Sequence, residues 1–435
     1  MKLTQLKIFR SKWSSEKAFV LSTAAAAVGL GNLWRFPYLT GENGGAAFII
    51  AYVLSVILIG LPLMIMEIGT GKFTKGGPIK AFETIKKKAK PIGIAIVGVT
   101  LLIMSYYFVI TGWTLNFAVK SLFGSIPSFG SFTSTLQPLL FFGIVVALGS
   151  YIVAKGVKVI EKMNIVLMPL LFVIVLGLTA YSLTLGGAAK AISFLFEPDF
   201  ASLLSPSLWL LALGQAFYSL AVGQGYLMTY GSFLKKKFNV ARASGSVAAI
   251  ETTIALLSGI MIFPLVFTFG LNPGQGTELA FTTLPVAFSN LPFGAWVAPV
   301  FFFLFFFAAL SSCIAGMEVV KTGLREQLKL THGWATAASF LLLLPLGILS
   351  ALSFSSAGFE VAGRPFLEVL DLFTANQLVI GLGLLGGAIV GWFVNRKKLV
   401  NSFGNKNRGT ASRVIKVAKY AWVVVLLVLI LSLIF

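Results

Sequence analysis

The stretch AAAAVGLGNLWRFPY, residues 24–38, lies in the first long apolar segment of the chain. It carries two glycines, an asparagine, an arginine and a proline among apolar residues. A helix that faces lipid excludes most of these, because hydrocarbon offers no partner to a polar side chain or to a freed backbone group. Irregular backbone at this depth is tolerated where it lines a polar cavity inside the protein. The stretch therefore predicts a membrane helix that breaks around residues 28–31 and faces an internal site.

The composition is that of a membrane protein. Of the 435 residues, 57% are hydrophobic and 11% are charged, and the mean hydropathy is +0.93. Soluble domains carry about 25% charged residues. The single cysteine, Cys313, excludes an intramolecular disulfide and a cysteine-rich metal site. One histidine, one cysteine and scattered carboxylates provide no nucleophile–base arrangement, so we do not expect an enzyme.

The apolar runs predict an all-α membrane protein with eleven transmembrane helices. Several runs reach about 20 residues, the length that crosses the hydrocarbon core of a bilayer. The longest connections on the outer side, near 121–137, 186–206 and 270–294, are rich in Ser, Pro and Gly, as surface loops usually are. The predicted spans are 18–38, 46–70, 93–120, 138–154, 162–185, 207–233, 243–269, 295–325, 334–353, 366–395 and 415–435.

The distribution of positive charge predicts the orientation of these spans. The formal net charge is +20, which could suggest nucleic acid as a partner. However, most of the 34 Lys and Arg residues lie in alternate loops, which is the pattern of the positive-inside rule. We therefore expect a multi-pass protein of the cell membrane that binds no nucleic acid. Its N-terminus should be cytoplasmic and, with an odd number of spans, its C-terminus extracellular.

Two predicted spans resemble each other. The first contains AVGLGN (27–32) and the sixth contains GQAFYSLAVGQG (214–225), five helices later. Paired glycine-interrupted segments in two halves of a chain point to an inverted-repeat transporter. Close helix packing would explain the glycines, but not Asn32, Gln215 and Gln224 at membrane depth. We expect one domain, 1–435, with repeat halves at about 10–190 and 200–397 and an additional helix at about 413–435.

Longer motifs identify a family. The segments AVGLGNLWRFPY (27–38), ENGGAAFIIAYV (42–53) and GLPLMIMEIGTGK (60–72) closely resemble the first two helices of the neurotransmitter:sodium symporter family. The resemblance continues in SYYFVITGW (105–113), FFFAALSSCIAGMEV (305–319) and LEVLDLF (367–373). It implies a prokaryotic-type, LeuT-like amino-acid transporter, with a 5+5 inverted repeat and broken helices 1 and 6. The implied activity is sodium-coupled uptake of amino acids or related amines.

The chemistry of a broken helix agrees with this resemblance. The end of the first half-helix exposes backbone carbonyls, which are hard ligands for a small cation. The start of the second half-helix presents N–H groups and a positive dipole end, which attract a carboxylate. Na⁺ and an amino acid can therefore share one break.

The resemblance implies two Na⁺ sites. The first consists of the Ala27 carbonyl, Asn32, Ser219 and Glu251, completed by the substrate carboxylate. The second consists of the Ala25, Val28 and Ala308 carbonyls with the hydroxyls of Ser311 and Ser312. At Glu251 the family frequently has an amide. The two serines could instead bond only within their own helix.

The same family resemblance implies a substrate pocket. Tyr107 would donate its hydroxyl to the substrate carboxylate, and Tyr218 would cover the substrate. No acidic residue lies near Ala25, where monoamine-selective members have an aspartate, so an α-amino acid is favoured. Because Ala221 and Gly316 are small, we expect a large hydrophobic or aromatic side chain, although Gln224 could contact a polar one. The implied pocket residues are Ala27, Leu30, Gly31, Ile103, Tyr107, Tyr218, Ser219, Ala221, Gln224, Ser312 and Gly316.

Two gates are also implied. Arg35 would pair with Asp371 on the outer side, and Arg10 would pair with Glu326 near Trp13 on the cytoplasmic side. The alternative is that these charges extend into lipid headgroups. Two further intramembrane acids, Glu67 and Glu318, must be paired, hydrated or protonated, and the sequence leaves this open.

Chloride independence is the last expectation. Tyr52 and Gln215 resemble parts of the anion site of chloride-dependent members, but Ala255 has no hydroxyl where those members have a serine. Glu251 instead supplies a fixed negative charge nearby, and two anions together would repel each other. A proton-coupled or uncoupled amino-acid exchanger of the same fold is the alternative function. We expect the partners to be an amino acid and the lipid bilayer, and the protein to be a monomer or weak dimer.

Overall fold

The computed structural model describes residues 12–273, 280–355, 358–403 and 408–434. This part of the chain is almost entirely helical, apart from a short hairpin in which β1 (Glu360–Val361) pairs antiparallel with β2 (Arg364–Pro365). The first ten helices are α1 (Glu16–Ala27), α2 (Phe36–Glu42), α3 (Ala46–Ser55), α4 (Leu61–Thr74), α5 (Pro78–Ile85), α6 (Lys90–Leu122), α7 (Phe129–Thr133), α8 (Gln137–Lys155), α9 (Val157–Ser182) and α10 (Ala188–Phe196). The later helices are α11 (Pro206–Ser219), α12 (Tyr226–Ser232), α13 (Val240–Thr268), α14 (Thr283–Ser289), α15 (Gly294–Leu328), α16 (His332–Leu352), α17 (Phe366–Phe373), α18 (Val379–Phe393), α19 (Arg396–Phe403) and α20 (Arg408–Ile434).

Within the described residues, seven continuous helices are long and apolar enough to cross a membrane. They are Ala46–Thr74, Lys87–Leu122, Gln137–Lys155, Val157–Ser182, Val240–Thr268, Gly294–Leu328 and His332–Leu352. Predicted spans 1 and 6 correspond to interrupted helices. Span 10 corresponds to α17 and α18, which are joined without a gap by a π-helical turn at Thr374–Leu378, and span 11 corresponds to α20. Helix α19 turns away from α18 by 116°, so it does not prolong the tenth span. The total of eleven spans stays a prediction.

The first predicted break is confirmed. Helix α1 ends at Ala27, and Val28 has an extended backbone with φ −78° and ψ 106°. The chain becomes helical again in a π-helical turn, Gly31–Arg35, which leads into α2. Glycines on either side of Leu30 lower the cost of leaving the helix, since glycine is a poor helix former.

The second break separates α11 from α12. Ala221, Gly223 and Gly225 all have positive φ, between 56° and 78°. Gly223 also approaches α18 so closely that a Cβ would collide with the Val379 carbonyl. Glycine is therefore required at this position by both backbone conformation and space.

Both breaks face the long helices α6 and α15 in the buried centre of the protein. The Leu30 N–H in the first break donates to the Tyr107 hydroxyl of α6 at 2.7 Å. The Ser312 hydroxyl of α15 donates to the Ala26 carbonyl at the end of α1 at 3.0 Å. In the second break, the Gln224 carbonyl accepts a hydrogen bond from the Thr100 hydroxyl of α6 at 2.6 Å. Residues of both breaks line one internal cavity.

Candidate substrate and sodium site

Serine hydroxyls of α15 meet the last carbonyls of α1. The Ser311 oxygen lies 2.7 Å from the Ala25 carbonyl oxygen and 2.8 Å from that of Ala308. Ser312 contacts the Ala26 carbonyl, which was not among the expected ligands. Val28 was also an expected ligand. Among the described residues, its carbonyl accepts no hydrogen bond from Ser311 or Ser312. The two serines therefore bond across to α1 and not only within their own helix.

This group of oxygens suits a hard cation. All the atoms that could bind a cation here are oxygens of backbone carbonyls and hydroxyl groups. Ser311 and Ser312 are 0% and 4% exposed. Hard cations take such oxygen ligands. The residues that meet here are therefore chemically suited to hold Na⁺.

A second cluster surrounds Glu251 on α13. Its Oε1 accepts hydrogen bonds from the Asn32 amide at 2.6 Å and from the Tyr52 hydroxyl at 2.9 Å. Its Oε2 lies 3.1 Å from the Thr252 hydroxyl. The Tyr52 hydroxyl is also 3.2 Å from the Ser219 hydroxyl. The structure thus brings together Asn32, Ser219 and Glu251, as expected, and adds Tyr52 as the residue that connects them.

The charge balance of this cluster favours a bound cation. Asn32 and Glu251 are both 0% exposed. Among the described residues, no Lys, Arg or His forms an ion pair with Glu251. A buried carboxylate without a counter-charge is costly. A cation next to Glu251 would remove that cost, and so would a proton.

A small cavity of about 20 Å³ lies beside the two clusters. It is lined by the expected residues Ala27, Gly31, Ile103, Tyr107, Tyr218, Ala221, Gln224 and Ser312. It is also lined by Ala26 and Tyr226, which sequence reasoning missed. Tyr226 follows directly after the glycine-rich break, and this position is the signal that could have found it.

Three expected pocket residues do not line this cavity. The Leu30 side chain is buried in the core, and its backbone N–H bonds Tyr107. Ser219 points to Tyr52. At Gly316, a Cβ would collide with the Met104 sulfur and lie 2.7 Å from the Tyr226 hydroxyl. The expectation that Gly316 enlarges the cavity is therefore wrong for this conformation, because Met104 and Tyr226 fill that space.

The two tyrosines expected at the pocket have defined positions. The Tyr107 oxygen accepts the Leu30 N–H, so its own hydroxyl hydrogen can be donated to another acceptor. The Tyr218 ring lies against Gly31, where a Cβ would come within 3.1 Å of the ring. The Arg35 guanidinium lies 5.1 Å from the centre of the same ring. Tyr218 thus separates the cavity from the charged residues above it.

Arg35 and Asp371 meet next to Tyr218. The Arg35 Nε is 3.9 Å from an Asp371 oxygen, and the two residues are 0% and 2% exposed. Asp371 also accepts a hydrogen bond from the Tyr106 hydroxyl at 3.0 Å. The Gln215 side chain accepts from Arg35 at 2.8 Å and donates to the Gly31 carbonyl at 2.7 Å. Arg35 is thus a buried, paired charge and does not extend into headgroups.

Of the three residues expected at a cytoplasmic gate, the structure describes two. Trp13 is 0% exposed, and its indole N–H donates to the Tyr230 carbonyl at 3.0 Å. Its ring packs edge-on against Tyr230 and Phe233. Glu326 accepts the Gly77 N–H at 3.0 Å. Arg10 lies outside the described residues, so its pairing with Glu326 stays a prediction.

The structure also places the two other intramembrane acids. Glu67 accepts the N–H of Gly223, inside the second break, at 2.8 Å. Glu318 pairs with Lys321, whose amine also donates to the Val153 carbonyl at the end of α8 at 3.2 Å. Glu318 and Lys321 are three residues apart on one helix, a spacing that already predicts a contact.

Two broken helices that meet at a buried cavity in a membrane protein define a secondary transporter. The chain belongs to the Sodium:neurotransmitter symporter family, whose model matches residues 10–130 and 124–435. It is therefore a sodium-dependent symporter with a LeuT-like fold, as the sequence motifs indicated.

Prokaryotic relatives cover nearly the whole chain. It is 34% identical over 415 residues to the sodium-dependent transporter YhdH of Bacillus subtilis, covering 92% of each chain. It is 30% identical over 424 residues to the sodium-dependent transporter MJ1319 of Methanocaldococcus jannaschii, covering 90% of this chain and 83% of the relative. The crystal structure of MhsT in complex with L-phenylalanine superimposes with a TM-score of 0.91 at 34% identity, over 97% of this chain and 100% of MhsT.

Proposed function

We propose that the protein takes up large hydrophobic or aromatic amino acids together with Na⁺, by alternating access and without chloride. The observation that carries this proposal is a cavity lined by residues of both helix breaks, at the same first break that contributes to two buried groups of oxygen ligands. The similar structure of MhsT holds L-phenylalanine, which supports an aromatic amino acid as substrate.

The geometry supports a coupled mechanism. The substrate carboxylate would accept the Tyr107 hydroxyl and face the positive dipole end of the second half-helix. It would also complete the Na⁺ site of Ala27, Asn32, Ser219 and Glu251. Since substrate and Na⁺ would then neutralise each other, each would raise the affinity for the other. This reciprocal effect is the physical basis of symport.

Burial of the described residues supports two gates. Arg35, Asp371 and Trp13 are all buried, and we assign the first two to an outer gate and Trp13 to a cytoplasmic gate. We propose that these contacts open alternately.

The excess of positive charge in alternate loops supports a cytoplasmic N-terminus, an extracellular C-terminus and a location in the cell membrane. A monomer or weak dimer, with repeat halves at about 10–190 and 200–397, completes the proposal.

Sodium-driven uptake into proteoliposomes tests the function. We expect amino-acid uptake to require a Na⁺ gradient, and we expect Ser312→Ala to raise the Na⁺ concentration for half-maximal uptake about tenfold, since one oxygen ligand is lost. Ser339→Ala is the matched control, because Ser339 is equally buried and bonds within its own helix. Full uptake driven by a proton gradient without Na⁺ would contradict symport with Na⁺ and favour the proton-coupled alternative.

Chloride replacement tests the role of Glu251. Wild-type uptake should be unchanged when gluconate replaces chloride, because the carboxylate supplies the negative charge. Ala255 lies one turn after Glu251 on α13, and both residues are 0% exposed. The double variant Glu251→Gln, Ala255→Ser should therefore acquire chloride dependence, while Ala255→Ser alone should not. A wild-type protein that loses uptake without chloride would refute this assignment.

A further inference from the structure

One wall of the cavity is polar. Gln224 and Tyr226 come from the end of the second break and the start of α12, and both line the cavity. They are 3% and 4% exposed. The neighbouring residues Ile103 and Ala221 provide an apolar wall. A cavity with both kinds of wall fits a side chain that is apolar along its length and polar at one point.

The Gln224 amide has a defined orientation. Its nitrogen lies 3.0 Å from the Tyr218 carbonyl oxygen, and a carbonyl can only accept a hydrogen bond. The NH₂ group of Gln224 therefore faces the Tyr218 carbonyl, and the amide oxygen points the opposite way. In the part of the chain that the structure describes, no donor bonds to this oxygen. Gln224 thus offers an acceptor at the cavity wall.

The Tyr226 hydroxyl is weakly bonded in the same region. Its hydrogen bond among the described residues goes to the Met104 sulfur at 3.8 Å. A thioether is a poor acceptor, whereas buried tyrosine hydroxyls usually find a strong partner. Tyr226 therefore offers a donor that a better acceptor could take from Met104.

Met104 can make room for a larger group. Its side chain and the Tyr226 hydroxyl occupy the space next to Gly316, which has no side chain of its own. Methionine is unbranched and flexible, so it adapts to a new neighbour at low cost. A cavity of about 20 Å³ is too small for an aromatic ring, and movement of Met104 along Gly316 would extend it towards Tyr226.

We infer that Gln224 and Tyr226 form a polar subsite for the tip of the substrate side chain, so that the preferred substrate is an aromatic amino acid with a hydroxyl group, of which tyrosine is the probe. A phenolic hydroxyl both donates and accepts, which matches the Gln224 oxygen and the Tyr226 hydroxyl. This inference rests on the proposed amino-acid transport. A site built to bond a hydroxyl discriminates against an analogue without it, because its own polar groups are left unpaired.

Competition on the wild-type transporter separates shape from hydrogen bonding. Inhibition of Na⁺-driven uptake is compared for L-tyrosine, L-phenylalanine and 4-methyl-L-phenylalanine, which has the shape of tyrosine without its hydroxyl. We expect L-tyrosine to compete about tenfold better than either analogue, as two added hydrogen bonds of about threefold each would give. If 4-methyl-L-phenylalanine competes as well as L-tyrosine, the site recognises the shape of the side chain and not its hydroxyl group, and the inference is overturned.

Two substitutions locate the effect. Tyr226→Phe and Gln224→Met remove one polar partner each with little change of volume, and each should lower the preference for L-tyrosine over L-phenylalanine several-fold. The control is Tyr181→Phe, since the Tyr181 hydroxyl bonds the Pro292 carbonyl at 2.6 Å and neither residue lines the cavity. A preference that neither variant changes would overturn the inference and leave amino-acid transport intact. The absence of Na⁺-dependent uptake of any amino acid would overturn the proposed function together with the inference.

Discussion

Replacing Asp371 by alanine is expected to lower Na⁺-driven uptake about a hundredfold. The substitution removes a buried counter-charge of Arg35 and the acceptor of the Tyr106 hydroxyl. Breaking a buried ion pair costs about 3–5 kcal/mol. If the pair is the proposed outer gate, the cost falls on its closed state, because in an open gate water can solvate Arg35. The transporter should therefore remain open to the outside and fail to complete its cycle.

Binding and uptake must be measured separately to test this gate. Radiolabelled substrate binding at saturating Na⁺ should be largely retained in the Asp371→Ala variant while uptake is lost, and membrane insertion should be normal. Asp199→Ala is the control. The Ser202 hydroxyl and the Ala201 N–H hold the pKa of Asp199 below its usual value, so it is an ionised but exposed acid in the connection between α10 and α11. Wild-type uptake kinetics in the Asp371 variant would reassign the pair to a structural role.

The second large effect concerns stability. Lys321→Met should lower the free energy of unfolding by about 3–5 kcal/mol, because it leaves the Glu318 carboxylate buried without its partner. Glu318 and Lys321 are 3% and 1% exposed, so water cannot replace the lost contact. The double variant Glu318→Gln, Lys321→Met should recover most of this loss, since no buried charge remains.

Thermal unfolding in detergent measures these differences. Lys90→Met provides the matched control, because Lys90 and Glu83 form an ion pair at 3.3 Å with side chains that are 35% and 40% exposed. Exposed pairs contribute about 0–1 kcal/mol, so this variant should unfold near the wild-type temperature. Equal losses in the Lys90 and Lys321 variants would show that burial of the Glu318 pair carries no special cost.

Most of the site residues were predicted from family motifs and not from the spacing of residues in the sequence. The family resemblance placed Asn32, Ser219 and Glu251 in one cluster, although they lie on three segments far apart in the chain. It also paired Arg35 with Asp371. It missed Tyr226 and the role of Met104, because the resemblance carries over only positions that the family motif already assigns to the pocket.

The sequence by itself determined the membrane class and the two helix breaks. These are local properties: apolar runs long enough to cross a bilayer, interrupted by glycines that weaken a helix and by polar residues that lipid does not accept. Only the tertiary structure decided which buried polar groups pair and which space is filled. Gly316 alone suggests a larger pocket, yet Met104 and Tyr226 from two other helices occupy that space. The volume of a cavity depends on side chains that converge from distant segments, and close packing makes each of them decisive.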